Sequence, residues 1–152
     1  MLGKWYFESL EEKNGKRSTH ETYHSKSFDE QGFWEFKSDG TFTIETRWRL
    51  KRYITSGFGG PEYLAGTSAK YSRSNNGAYS FSAQDSIITI GGWRYNVQFI
   101  YNRMVLSINV EVINRDPIFG TGYGHEEFIT LSKQKNFKAN YSLPYNNLKV
   151  IE

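Results

Sequence analysis

Residues 20–24 of this chain read His-Glu-Thr-Tyr-His, which matches the H-E-x-x-H pattern of zinc-dependent proteases. In those enzymes the two histidines lie one helical turn apart and bind one zinc ion, while the glutamate acts as general base. Such a site therefore requires a helix. The flanking residues 17–19 and 25–27 are Arg-Ser-Thr and Ser-Lys-Ser, which offer no apolar face on which a helix could pack.

An extended backbone would separate the two histidines instead. In a strand, the Cα atoms of His20 and His24 would lie about 13 Å apart, too far to share a tetrahedral ion. We interpret the segment as a polar loop or edge strand, and we assign no metal site and no cofactor. His125 follows a glycine-rich loop and could add a third ligand, so a metal-dependent hydrolase remains the most distant of three hypotheses.

The glycine-rich segments do not predict phosphate binding. Residues 120–124, Gly-Thr-Gly-Tyr-Gly, lead into a predicted strand, whereas phosphate-binding loops open a helix. We interpret this segment and residues 57–61, Gly-Phe-Gly-Gly-Pro, as loops at the rim of a sheet. The sequence also has no Ser-His-Asp order and no close carboxylate pair suited to acid–base catalysis, so we expect no enzyme.

Charge and composition exclude further classes. The 19 basic and 16 acidic side chains give a net charge of +3, dispersed along the chain, which does not predict nucleic-acid binding. Arg47, Arg49 and Lys51 alternate with Trp48, so the cations and the ring are expected on opposite faces of a strand. The absence of cysteine excludes disulfides, thiolate metal sites and a cysteine nucleophile.

The length of 152 residues fits one domain, and no apolar run is long enough for a transmembrane helix. The first residues, Met1 to Trp5, lead directly into a patterned segment rather than a signal peptide. We expect either a cytoplasmic protein or a mature chain that follows a removed signal.

Alternation of apolar and polar residues predicts an all-β fold. Asp-Gly and Gly-Gly pairs separate several alternating runs, as in β-hairpins. The predicted strands cover residues 4–10, 33–37, 41–50, 78–82, 86–90, 93–100, 104–113 and 127–133. Eight strands with short turns favour an antiparallel up-and-down β-barrel, because closure removes exposed edges; a sandwich is the alternative.

Three connections are expected to be long: residues 11–31, 54–76 and 115–126. Successive turns of a meander alternate between its two ends, which places all three at one mouth and the tight turns at the other. A separate strand at residues 68–73 would break this parity. An elaborated mouth is typical of a ligand-binding cup.

The order of the segments resembles bacterial lipocalin-like domains of the Bacteroidetes type. The resemblance covers residues 3–133 and rests on GKWYFESL, GFWEFKSDGTFTIE, GAYSFSAQDSIITI, RYNVQFIYNRMVLSI and EEFITLSK, with Gly3-Lys4-Trp5 as the G-x-W motif. It implies an eight-stranded barrel over residues 1–133, which residues 134–152 follow as a tail packed on it. It also implies a periplasmic or outer-membrane lipoprotein, and a basic side chain stacked on Trp5. Lys133 is the candidate for that cation, where lipocalins use arginine.

The aromatic residues are the predicted binding residues. The chain contains 11 Phe, 11 Tyr and 4 Trp, and many fall on the inward register of strands or in mouth loops. We predict a non-catalytic protein that binds a small, largely apolar or aromatic ligand through Trp34, Phe36, Phe42, Trp48, Phe58, Tyr63, Tyr79, Phe81, Tyr95, Phe99 and Tyr123. Rings this large could also fill the barrel completely. The second hypothesis is a protein-interaction module, an accessory, inhibitor or immunity protein that uses loops or the outer face.

Overall fold

The computed structural model describes residues 1–16, 21–56, 61–68, 70–113 and 122–134. Within these ranges the chain is all-β, as predicted, and no helix is long and apolar enough to cross a membrane. The strands are β1 (Gly3–Lys16), β2 (Glu21–Phe36), β3 (Thr41–Ser56), β4 (Tyr63–Thr67), β5 (Tyr71–Ser82), β6 (Ile87–Ile90), β7 (Trp93–Ile100), β8 (Arg103–Ile113) and β9 (Gly122–Ser132). The predicted tail lies outside the described residues, apart from its first residue.

The strands form one antiparallel sheet in the order β2-β1-β9-β8-β7-β6-β5-β3-β4, and β2 also pairs with β3. This additional pairing closes eight strands into a ring. Each of those eight strands therefore has a partner on both sides over part of its length, which is the physical advantage expected from the sequence.

The ninth strand, β4, continues the line of β5 along β3. Tyr63 pairs with Ile54 on β3, and farther along the same strand Tyr71 pairs with Trp48. Between these pairs the backbone N–H of Ser68 donates to the carbonyl of Leu50 over 2.8 Å. β4 and β5 therefore run in the same direction, so the extra strand does not reverse the alternation of the turns.

The expected long connections were partly wrong. Residues 11–16 and 21–31 belong to β1 and β2, and residues 71–76 belong to β5. These segments are polar and lack clear apolar alternation, so the sequence pattern did not predict them as strands. Backbone hydrogen bonding nevertheless keeps these segments in the sheet; for example, Glu12 of β1 pairs with Ser25 of β2.

The two ends of the ring differ. The turns at residues 37–40, 83–86 and 101–102 lie at one end, the hairpin end. At the opposite end β1, β3 and β8 finish at Lys16, Ser56 and Ile113. β7 pairs with β8 only as far as Ser107, and β5 pairs with β3 only as far as Trp48, so the wall is lower on the β5–β7 side.

The hairpin end and the middle of the ring are filled by the core. Sixteen buried residues form one cluster, and Met1, Trp48, Tyr79, Phe81 and Ile108 pack against it. The cluster contains Trp5, Phe7, Leu10, Trp34, Phe36, Phe42, Ile44, Leu50, Ile88, Ile90, Tyr95, Val97, Met104, Leu106, Ile129 and Leu131. The predicted inward register is therefore confirmed for most of the strands.

The turn between β2 and β3 is the hairpin that the Asp-Gly pair predicts. Gly40 has φ of 85°, and its N–H donates to the carbonyl of Lys37 over 3.1 Å. The carboxylate of Asp39 accepts hydrogen bonds from the hydroxyl (2.6 Å) and the N–H (3.0 Å) of Thr41. These bonds lower the pKa of Asp39.

Trp5 and Lys133 occupy the positions expected of them. The Nζ of Lys133 lies 4.4 Å from the centre of the Trp5 ring and donates to the carbonyl of Leu2 over 2.7 Å. The indole N–H of Trp5 donates to the carbonyl of Met1. The pair covers the core at the hairpin end and has a structural role.

Candidate functional site

A cleft of about 360 Å³ lies inside the ring, beyond the core and toward the end opposite the hairpins. Its volume is at the low end of the range of roughly 300–1,000 Å³ that small-molecule sites occupy. It is lined by Leu10, Glu12, Trp48, Leu50, Arg52, Tyr71, Arg73, Trp93, Tyr95, Ile108, Val110 and Glu127. The sequence alone left a filled barrel and an open cup as alternatives, and the structure combines a packed core with a small cleft.

Four aromatic rings form part of the wall. Trp48 pairs with Tyr71 across β3 and β5, and their ring centres are 5.9 Å apart. Trp93 is half exposed and pairs with buried Ile90, so it lies on the inner face of β7. Tyr95 lies two residues farther along the same face. The indole nitrogen of Trp48 is buried and has no hydrogen-bond partner within the part of the chain that the structure describes.

A tyrosine and an arginine mark the boundary between the cleft and the core. The guanidinium of Arg73 lies over the Trp34 ring, 5.3 Å from its centre, and donates a 3.2 Å hydrogen bond to the hydroxyl of Tyr95. Burial raises the pKa of Tyr95, and the nearby Arg73 offsets part of that increase. The phenol is thus neutral at physiological pH and its oxygen is held in place.

The polar side of the cleft is built by three neighbouring strands. Arg52 of β3 donates to a Glu12 carboxylate oxygen over 2.9 Å and to the Ser25 hydroxyl over 3.1 Å. Its guanidinium also lies 4.4 Å from the centre of the Tyr23 ring. Glu12 and Ser25 are buried, so Arg52 supplies the partner that a buried carboxylate requires.

His125 of β9 lies beside this group, with a side chain that is only 9% exposed. Its Nδ1 is 2.9 Å from the hydroxyl of Tyr23. Its Nε2 faces two carboxylates, at 3.5 Å from Glu12 and 3.7 Å from Glu127. Both distances are too long for hydrogen bonds, and Nε2 has no hydrogen-bond partner among the described residues.

The predicted ligand-binding residues are distributed over the whole ring. Among those whose side chains the structure describes, only Trp48 and Tyr95 line the cleft. Trp34, Phe36 and Phe42 are buried in the core, and half-buried Tyr79 and Phe81 pack against it. Two others are about half exposed and do not line the cleft: Tyr63, on β4, and Phe99, whose ring contacts Trp5 and Phe81 near the hairpin end. Phe58 and the side chain of Tyr123 lie outside the described residues.

The H-E-x-x-H segment does not form a helix where the structure describes it. Residues from Glu21 onward belong to strand β2, and His20 lies outside the described residues. The ring of His24 stacks on Tyr53 at 5.0 Å, and its Nδ1 is 2.9 Å from a Glu62 carboxylate oxygen. Tyr23 reaches His125 on the inner face, so the next residue of the strand, His24, points away from His125. The protease-type arrangement of ligands is therefore wrong.

The basic residues of β3 divide between the two faces. Arg49 and Lys51 lie over the ring of Phe28 on the outer face, with their cations 4.9 and 5.0 Å from its centre. Arg52 lies one residue farther and lines the cleft. The predicted faces of Arg49, Lys51 and Trp48 are therefore confirmed.

Sequence reasoning missed the four charged side chains that line the cleft: Glu12, Arg52, Arg73 and Glu127. The two-residue period of the strands did contain a signal for three of these positions. Glu12 is two residues beyond buried Leu10, Arg52 two beyond Leu50, and Glu127 two before Ile129, so simple alternation places all three inward. Carboxylates and guanidinium groups are mostly exposed, so their types give no signal for an inward position.

In comparison with known proteins, the chain matches no family model, and no curated protein and no solved structure is significantly similar to it. The geometry of the cleft is therefore the basis on which a function is proposed.

Proposed function

We propose that this protein binds a small, largely apolar or aromatic ligand in the cleft and does no chemistry on it. The observation that carries the proposal is a cleft of about 360 Å³ walled by Trp48, Tyr71, Trp93 and Tyr95. Flat rings provide large apolar contact areas at a low cost in conformational entropy, and they stack on planar ligands.

The shape and volume of the cleft also limit the size of the ligand and the direction from which it enters. The core fills the ring beneath Tyr95, so a ligand enters from the end opposite the hairpins and cannot extend through the ring. The volume favours a molecule with one or two rings over haem or a long acyl chain. The buried indole N–H of Trp48 would favour a ligand with a hydrogen-bond acceptor beside its apolar part.

The lipocalin-like barrel belongs to the same proposal. It is supported by the Gly3-Lys4-Trp5 motif, by the cation of Lys133 over Trp5 and by the closed antiparallel ring. A periplasmic or outer-membrane lipoprotein stays a prediction of that resemblance.

Isothermal titration with naphthalene-2-carboxylate, decanoate and haem tests the binding proposal. We expect the naphthalene compound to bind with the highest affinity. Ile108→Trp should abolish binding, because Ile108 lines the cleft and a larger ring would fill it. Asn109→Trp is the matched control, since Asn109 is exposed and is the next residue of the same strand. Equal binding by both variants, or no binding by the wild-type protein, would contradict the proposal.

The second candidate is binding of an acidic protein partner on the outer face. It is supported by the half-buried ring of Phe28, on which the cations of Arg49 and Lys51 both lie. Charge reversal at Lys51 should weaken a purified complex and reduce its salt dependence. The Ile108→Trp variant should leave this complex unchanged, which separates the two candidates.

A further inference from the structure

We propose that Glu12, His125 and Glu127 form a binding site for one divalent transition-metal ion, with zinc as the preferred test ion. One ligand atom from each residue lies within 4.8 Å of the other two. The residues come from β1 and β9, which pair directly with Glu12 opposite Glu127. The set shares neither histidine of the H-E-x-x-H segment.

The spacing of the donor atoms fits such an ion. Zinc binds nitrogen and oxygen donors at about 2.0–2.2 Å, so two donors on a tetrahedral ion are about 3.4 Å apart. Here Nε2 of His125 is 3.5 Å from Glu12 Oε2 and 3.7 Å from Glu127 Oε2. Small rotations of the carboxylates would bring all three donors onto one ion.

His125 provides a separate observation that points to a ligand. Its side chain is more than nine-tenths buried, and Nε2 faces the two carboxylates with no hydrogen-bond partner among the described residues. If Nδ1 donates its proton to the Tyr23 hydroxyl, Nε2 presents a lone pair to two carboxylates that are also acceptors, and a bound metal ion would satisfy all three. A metal-bound histidine usually has such an outer partner on its second nitrogen.

The surrounding charges suit a divalent ion. Arg52 engages the other oxygen of Glu12, Oε1, and leaves Oε2 directed at His125. With neutral His125, the two carboxylates and Arg52 carry one net negative charge. A set of one imidazole and two carboxylates favours zinc and neighbouring first-row metals over calcium or magnesium, which prefer oxygen ligands only.

Glu12 and Glu127 also line the cleft. An ion on these three residues would keep a coordination position open toward the cleft, as in sites where an exogenous molecule completes the ligand set. The inference does not depend on the proposed small ligand, because the site is tested with the metal alone.

The test is a zinc titration of chelator-treated protein in competition with a chromophoric chelator. We expect one equivalent of zinc per chain, with affinity at least about tenfold lower in His125→Gln and in Glu127→Gln. His24→Gln is the matched control, because His24 lies on the outer face beside Glu62, and it should bind zinc like the wild type.

Two further measurements keep the test decisive if one variant folds poorly. Tyr23→Phe keeps the ring but removes the hydroxyl at Nδ1, and we expect it to lower zinc affinity about tenfold. In NMR spectra of the wild-type protein, zinc should shift the Nε2 resonance of His125 and leave that of His24 unchanged. Failure of the folded wild type to bind zinc, or undiminished binding by folded His125→Gln, would overturn the inference.

Discussion

A close contact between Gly15 and Tyr23 positions the polar side of the cleft. The two residues pair across β1 and β2, and a Cβ added at Gly15 would overlap the Tyr23 ring. Tyr23 in turn holds His125 through its hydroxyl and lies beneath the guanidinium of Arg52. The missing side chain at Gly15 therefore allows the ring to reach these partners.

Gly15→Ala should displace this ring and destabilise the protein by about 1–3 kcal/mol, as overpacked sites do. Chemical denaturation measures the free energy of unfolding. Gly66→Ala is the matched control, since Gly66 also lies in a strand but a Cβ there would meet nothing within 4 Å. Equal stability of the two variants would show that Tyr23 is free to move aside.

The phenol of Tyr95 predicts a loss of stability at high pH. Burial raises its pKa in the folded protein, so folding favours the protonated form. This contribution is complete below the pKa of an unfolded tyrosine, about 10, and is lost as the pH rises through the higher folded value. Denaturation midpoints measured from pH about 8 to about 11 should therefore fall more for the wild type than for Tyr95→Phe. Parallel pH profiles of the two proteins would contradict this prediction.

At the scale of elements, irregularities bend the long strands. The register of β2 against β3 shifts between Phe28 and Gln31, and Asp29 adopts a positive φ of 54°. Gly32 follows with φ of 105°, and a Cβ at that position would overlap the carbonyl of Glu45. β-Bulges of this kind increase local twist and curvature, which a closed ring of strands requires.

Gly32→Ala should therefore be among the most damaging small substitutions in the chain. It combines an unfavourable φ with a collision against backbone, and we expect a loss of at least about 3 kcal/mol of unfolding free energy. Gly40→Ala isolates the first effect, because Gly40 has φ of 85° but open space around it. Its expected cost is about 1 kcal/mol. A similar cost for the two variants would show that β3 yields to the added methyl group.

The elements differed in how far the sequence predicted them. β7 has the predicted bounds, Trp93–Ile100, and the Asp-Gly hairpin lies where expected. The distal halves of β1 and β2 were missed, because their inward side chains at Glu12 and Ser25 are polar. Alternation is visible only where the inner face is apolar, although the backbone pairing does not depend on that.

At the scale of the whole molecule, an apolar core fills the hairpin end and the middle of the ring, and the partly polar cleft lies toward the other end. Leu106 is fully buried in the core, whereas Leu50 is buried but borders the cleft. We expect Leu106→Ala to cost about 3–5 kcal/mol and Leu50→Ala about 2 kcal/mol, because atoms beside a cleft already lack packing partners on one side. Chemical denaturation of both variants measures these losses of unfolding free energy. A larger loss for Leu50→Ala than for Leu106→Ala would contradict this prediction.

By itself, the sequence determined the all-β class, the hairpins and the face of most strand residues. These features depend on local turn geometry and on the two-residue period of a strand, both of which are readable along the chain. Only the tertiary structure decided that Glu12, Tyr23, Arg52 and His125 meet at one place. Closure of the ring by the β2–β3 pairing, together with the pairing of β1 with β9, brings distant residues into contact. The cleft and its polar cluster depend on that closure.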